Sequence, residues 1–194
     1  MLSAGEIIMT YLSESLVEYF NLIYMLAFFI VASVCLSMSK TTGKRLPWVW
    51  LGFFGAAHGL GFGAIYLITS YGNNTFSNLL VPLLSVSFIC LAEFGRNSIV
   101  RILGRGPGRW ILVPLVFLAV LSGFVKPYGA QAAALYLMGL GGGLPAAVAL
   151  LLASRCSETH AGRRLKTAGA VMGLYALIAG LLVPPVPFIP PPTG

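Results

Sequence analysis

Aspartate is missing from all 194 residues, so the five acidic residues are all glutamates. That excludes aspartate-based proton relays, phosphoryl-accepting aspartates and most magnesium sites. Charge of either sign is scarce. Charged residues make up 9% of the chain, against roughly 25% in a soluble globular domain, too few for a water-facing surface. Cysteine is scarce and scattered: Cys35, Cys90 and Cys156 form no CxxC pair, so neither a zinc site nor a disulfide framework is indicated. The sequence has no HExxH and no GxSxG, so a nucleophile with its base is lacking, and this segment is not expected to be an enzyme. The first residues have no basic region and carry Glu6, Glu14 and Glu18, unlike a cleaved signal peptide.

What is present is apolar. Hydrophobic residues make up 58% of the chain, in runs long enough to cross a bilayer core of about 30 Å as helices. Six such runs stand out: Phe20–Met38, Pro47–Thr69, Asn78–Phe94, Trp110–Val125, Ala130–Ser154 and Thr167–Pro184. They are continuous and lack the alternation of a membrane barrel. The expectation is an all-α polytopic bundle forming one integral membrane domain over residues 1–194, with the lipid bilayer as its principal partner. Residues 1–19 form an acidic lead-in. Residues 185–194, within "VPPVPFIPPPTG", read as an extended proline-rich segment that cannot be a helix interior.

The net charge of +7 could suggest nucleic acid, but the basic residues sit in short clusters between apolar runs. Eleven of the twelve fall in the first, third and fifth connections, "SKTTGKR", "RNSIVRILGRGPGR" and "SRCSETHAGRRLK"; Lys126 is the exception. The positive-inside rule makes that side cytoplasmic and both chain ends extracytoplasmic. Trp48, Trp50 and Trp110 stand where spans leave the basic connections, as interface anchors do.

Few polar residues interrupt the spans. His58 lies near the middle of the second, where an imidazole needs a hydrogen-bond partner and is a functional candidate by default. Two readings stay open for it: a ligand or proton sensor, or neutral glue between helices. Haem ligation within the chain would need a second axial side chain. The other histidine, His160, lies in a basic connection, which disfavours bis-histidine haem; a methionine ligand, Met138 or Met172, stays open, but no cofactor and no metal site are expected. In the fifth run, "GLGGGLP" (139–145) is either a broken helix lining a ligand cavity or a kinked, closely packed helix, the second being preferred. Gly55, Gly59, Gly61 and Gly63 offer a second close-packing face. Glu93 stands three residues before Arg96, on the same helical face, at the cytoplasmic end of the third run, which is expected to break at Gly95. The pair is expected to anchor the helix, the alternative being a switch that reports bundle packing.

"LPWVWLGFFGAAHGLGFGAIYL" followed by "LLSVSFICLAEFGRN" resembles the N-terminal membrane-sensor region of bacterial signalling proteins, in which several helices precede PAS, histidine-kinase or diguanylate-cyclase domains. The resemblance is carried by Leu46-Pro47-Trp48, by Phe54 to Gly59 and by Leu91 to Arg96. It implies a multi-pass protein of the bacterial inner membrane, a seventh helix beyond Gly194, a cytoplasmic output domain and a homodimer formed through the full-length protein. Where such proteins often carry acids after the His-Gly pair, this chain has Gly61, Phe62 and Ile65. The expected pocket, His58 with Phe53, Phe54, Phe62 and Tyr66, is therefore more apolar and suited to a small hydrophobic or quinone-like ligand. The functional expectation is a sensory input domain; the alternative is a small transporter or channel subunit whose path the broken fifth span would line.

Overall fold

The computed structural model describes residues 4–41, 46–72, 76–124, 128–157 and 159–178. Every regular element among them is helical: α1 (Ala4–Thr41), α2 (Trp48–Tyr71), α3 (Ser77–Leu103), a 3₁₀ turn (Arg109–Leu112), α4 (Val113–Phe124), α5 (Tyr128–Arg155) and α6 (Thr159–Leu177). Four helical segments are long and apolar enough to cross a membrane: Ser15–Lys40, Trp48–Tyr71, Leu79–Leu103 and Tyr136–Arg155. At 1.5 Å per residue, α2, α3 and α5 are about 36 to 42 Å long, more than a hydrocarbon core needs.

Several expected boundaries are corrected. Helix α1 starts at Ala4 and takes in most of the acidic lead-in; its 38 residues reach about 57 Å. The third run does not break at Gly95, because α3 continues to Leu103 and is capped by Gly104 in the left-handed region (φ 68°). Helix α2 ends in the same way at Gly72 (φ 62°). The fourth run yields only twelve helical residues in α4, about 18 Å, with the 3₁₀ turn ahead of it. Arg163, Arg164 and Lys166 were expected in a connection, but they lie within α6. The end of the sixth run and the proline-rich segment 185–194 lie outside the described residues.

Glycine sets the helix order. On α2, added Cβ atoms at Gly52, Gly55 and Gly59 would meet Leu36, Phe28 with Ala32, and Met25 with Phe28 and Phe29 on α1. The partner numbers fall as the α2 numbers rise, so the two helices run antiparallel. Gly61 on the far side of α2 faces Leu84 of α3. Helix α5 runs unbroken from Tyr128 to Arg155, through the glycines and Pro145. Its three consecutive glycines each meet a different helix: a Cβ on Gly141 would lie 2.9 Å from Leu115 of α4, on Gly142 2.7 Å from the Phe88 carbonyl oxygen of α3, and on Gly143 2.5 Å from Ala176 of α6. Successive residues turn about 100°, so three bare positions let three neighbours close in at one level. The close-packing reading of "GLGGGLP" therefore describes this helix, and the broken-helix reading is overturned. Gly95 completes the seam, since its Cβ would fall 2.5 Å from the Pro145 backbone.

The buried core joins Phe54, Phe88, Leu91 and Phe94 with Met138, Ala146 and Leu150, where α2, α3 and α5 meet. Outer faces are apolar: Phe20, Ile30 and Val34 on α1 and Val116, Phe117 and Val120 on α4 are exposed, as lipid-facing side chains are. Because α3 runs parallel to α5 and antiparallel to α2, one end of the bundle collects Lys40, Arg96, Arg101, Arg155, Arg163 and Arg164.

Candidate functional site

His58 sits in the middle of α2 and is 3% exposed. Both ring nitrogens are bonded. Nδ1 lies 2.8 Å from Ser87 Oγ on α3, and Nε2 lies 3.0 Å from the Tyr175 hydroxyl on α6. The Ser87 hydroxyl donates to the Leu84 carbonyl at 2.7 Å. Donor counting then fixes the tautomer. With its proton on the Leu84 carbonyl, Ser87 Oγ accepts, so Nδ1 carries the imidazole proton. Nε2 is left as the acceptor for the Tyr175 hydroxyl. The order Tyr175 to His58 to Ser87 to the Leu84 carbonyl uses every proton once, with a neutral imidazole. The chain ties three helices together in the bundle interior, where an unmet polar group is costly.

Aromatic rings enclose the imidazole. Ring centroids of Phe28, Phe54, Phe62 and Phe88 lie 4.5, 5.1, 5.4 and 5.4 Å from that of His58. Phe28 also stacks on Phe62, with planes 6° apart, so α1 closes one side. Of the residues expected around His58, Phe54 and Phe62 are in this enclosure. Tyr66 is eight residues beyond His58 on α2, about 12 Å along the axis, half-buried, with its carbonyl accepting from Thr69 Oγ1. Phe53 points outward and is exposed.

Sequence reasoning missed Tyr175, Ser87, Phe28 and Phe88 as partners of His58. Tyr175 is 117 residues away along the chain, and spacing gives no hint of that contact. The available signal was chemical: a hydroxyl inside an apolar run needs a partner, and His58 needed one too.

Lower on α3, Glu93 and Arg96 form a bidentate ion pair. Arg96 Nε donates to Glu93 Oε2 and Nη2 to Oε1, each at 2.6 Å. Glu93 is 5% exposed, at the basic end of the bundle. Arg96 Nη1 also reaches the Pro107 carbonyl, at 3.4 Å, in the connection leading to α4. One turn of α3 therefore joins the buried carboxylate to that connection.

Among the described residues, no group of three or more histidine, cysteine or acidic side chains could hold a metal ion. Together these features define an all-helical bundle with membrane-length apolar helices and a satisfied polar chain at its centre. No known protein family, curated protein or solved structure matches the chain.

Proposed function

We propose that the bundle is a membrane-embedded sensory domain of a bacterial signal-transduction protein, passing a ligand or membrane state to a cytoplasmic output domain. In this reading it lies in the inner membrane with the basic end in the cytoplasm, as the positive-inside bias favours. Six helices cross or enter the bilayer, and both chain ends are extracytoplasmic. The full-length protein works as a homodimer.

One observation carries the reading. Helix α3 holds both Ser87 of the central chain and the Glu93–Arg96 pair, with Ser87 and Arg96 about 14 Å apart along its axis. A change in how α2 and α6 grip α3 through His58 is delivered by that rigid helix to Arg96 and the Pro107 connection. The mechanism is a population shift between two packings, one with the Tyr175–His58 bond and one without. A small apolar ligand bearing a carbonyl, such as a quinone, enters the aromatic enclosure and accepts the Tyr175 hydroxyl in place of Nε2, releasing α6 from α2. Transport had its main support in a broken fifth span; with α5 continuous, that support is gone.

The test reads output from the full-length protein in its own membrane. His58→Ala and Tyr175→Phe should alter output while membrane levels stay normal. Unchanged output in both variants, or a reading frame that encodes no signalling domain with this segment, would count decisively against the proposal.

A further inference from the structure

A cavity of about 340 Å³ opens on the opposite side of α3 from the His58 chain, at the basic end. It lies between α3, the connection to α4, and α5. Its walls are apolar, from Ala92 and Ile99 through Leu115 to Leu144 and Val148, and Arg96 is the charged residue among them. The volume is at the lower end of the roughly 300–1,000 Å³ typical of small-molecule sites. Ile111, Leu144 and Val148 are 40%, 42% and 48% exposed, so the cavity opens sideways onto the apolar outer face rather than into the bundle.

Charge and depth identify the occupant. Pro107, on the rim, is flanked by Arg105 and Arg109, both exposed. From Glu93 to Glu158 the chain contains no other carboxylate, so nothing in the connection offsets these arginines. Arg96 commits three of its five N–H donors to Glu93 and Pro107, leaving two unengaged among the described residues. Trp110, beside Arg109, is exposed, and an exposed tryptophan next to basic residues sits at headgroup level in a bilayer. The apolar slot is therefore at acyl-chain depth and the arginines at phosphate depth. Basic pockets between helices on the cytoplasmic side are the places where anionic headgroups bind.

We infer that this cavity is a binding site for one anionic phospholipid, with an acyl chain between α3, α4 and α5 and the phosphate held by Arg109, Arg105 and the spare donors of Arg96. The site is separate from the sensory reading and requires only that the bundle sits in a bilayer. Its occupant contacts Gly141 and Pro145, so a bound lipid braces the seam between α3 and α5.

The experiment reconstitutes the chain in bilayers of equal parts phosphatidylglycerol and phosphatidylcholine, extracts it, and counts retained lipid by native mass spectrometry. The wild type should retain one phosphatidylglycerol in preference to phosphatidylcholine. Arg105→Gln and Arg109→Gln should each lower that preference roughly fivefold, the effect of one basic residue at an anionic surface. Val148→Phe should fill the slot and abolish retention of both lipids, with helical content and unfolding midpoint unchanged. Equal retention of the two lipids by the wild type would overturn the site, as would undiminished phosphatidylglycerol retention by Val148→Phe. Displacement of phosphatidylglycerol by excess inorganic phosphate would also overturn it, since it would show an anion site with no use for the acyl chain.

Discussion

Removing one hydroxyl tests the central chain with little steric change. Tyr175→Phe keeps the ring and deletes the donor that lies 3.0 Å from His58 Nε2. Nε2 then has no donor. Taking the other tautomer does not help, because Nε2–H would have no acceptor and the bare Nδ1 would face Ser87 Oγ, whose proton is on the Leu84 carbonyl. In water-soluble proteins a buried acceptor left unmet costs about 1–3 kcal/mol. Between membrane helices, measured side-chain hydrogen bonds average about 0.6 kcal/mol with a maximum near 1.7, and that range governs here. It corresponds to roughly a three- to eighteen-fold loss in the folding equilibrium constant. The assay is reversible unfolding in mixed micelles. Leu174→Ala is the control, since Leu174 is the neighbouring residue on α6 and is 59% exposed. A double-mutant cycle completes the design: in a His58→Leu background, Tyr175→Phe should cost much less. If Tyr175→Phe costs the same with and without His58, the hydroxyl does not hold this histidine and the tautomer assignment fails.

Three further outcomes follow from other contacts. Gly95→Ala should destabilise the bundle by about 1–3 kcal/mol, because its Cβ would meet the Pro145 backbone, whereas Gly63→Ala, facing only the mobile end of Met25, should be nearly neutral in the same unfolding assay. Glu93→Ala should lower the thermal midpoint more than Glu93→Gln, which keeps an acceptor for Arg96; removing both partners in Glu93→Ala/Arg96→Ala should recover part of the loss, and no recovery would mean that the pair is not what stabilises this turn. For topology, a membrane-impermeant maleimide applied to intact cells should label Tyr71→Cys and leave the native Cys156 unmodified until the membrane is opened; the reverse pattern would invert the assignment.

The apolar runs were legible because lipid-length helices need nothing more than continuous hydrophobicity, and α2 and α5 lie close to where their runs predicted. The ends of α3 and α6 were misread for a shared reason. Gly95 and the charges from Arg155 to Lys166 look like the end of a helix when only local composition is weighed. In the bundle, Gly95 is where α5 presses against α3, and Arg163 to Lys166 extend α6 past the apolar layer. The Glu93–Arg96 pairing could be read from a spacing of three, because both partners lie on one helix. The His58 partners could not, since Ser87 and Tyr175 are brought to it by the packing of three separate helices.

The glycine triplet of α5 has a consequence for rotation. A side chain normally acts as a key that fixes a helix's angle about its own axis against its neighbours. At the level of Gly141 to Gly143 the keys belong to the neighbours: a turn of one residue, about 100°, would carry Leu140 to the place facing Leu115 or Leu144 to the place facing Ala176, where even a Cβ meets an atom within 2.9 Å. The angle of α5 is fixed at that level and again a turn to either side, by Met138 and Ala146, both fully enclosed. Helix α5 is thus a shaft with a narrow collar gripped by three neighbours between two keyed sections, and it resists twisting at all three levels.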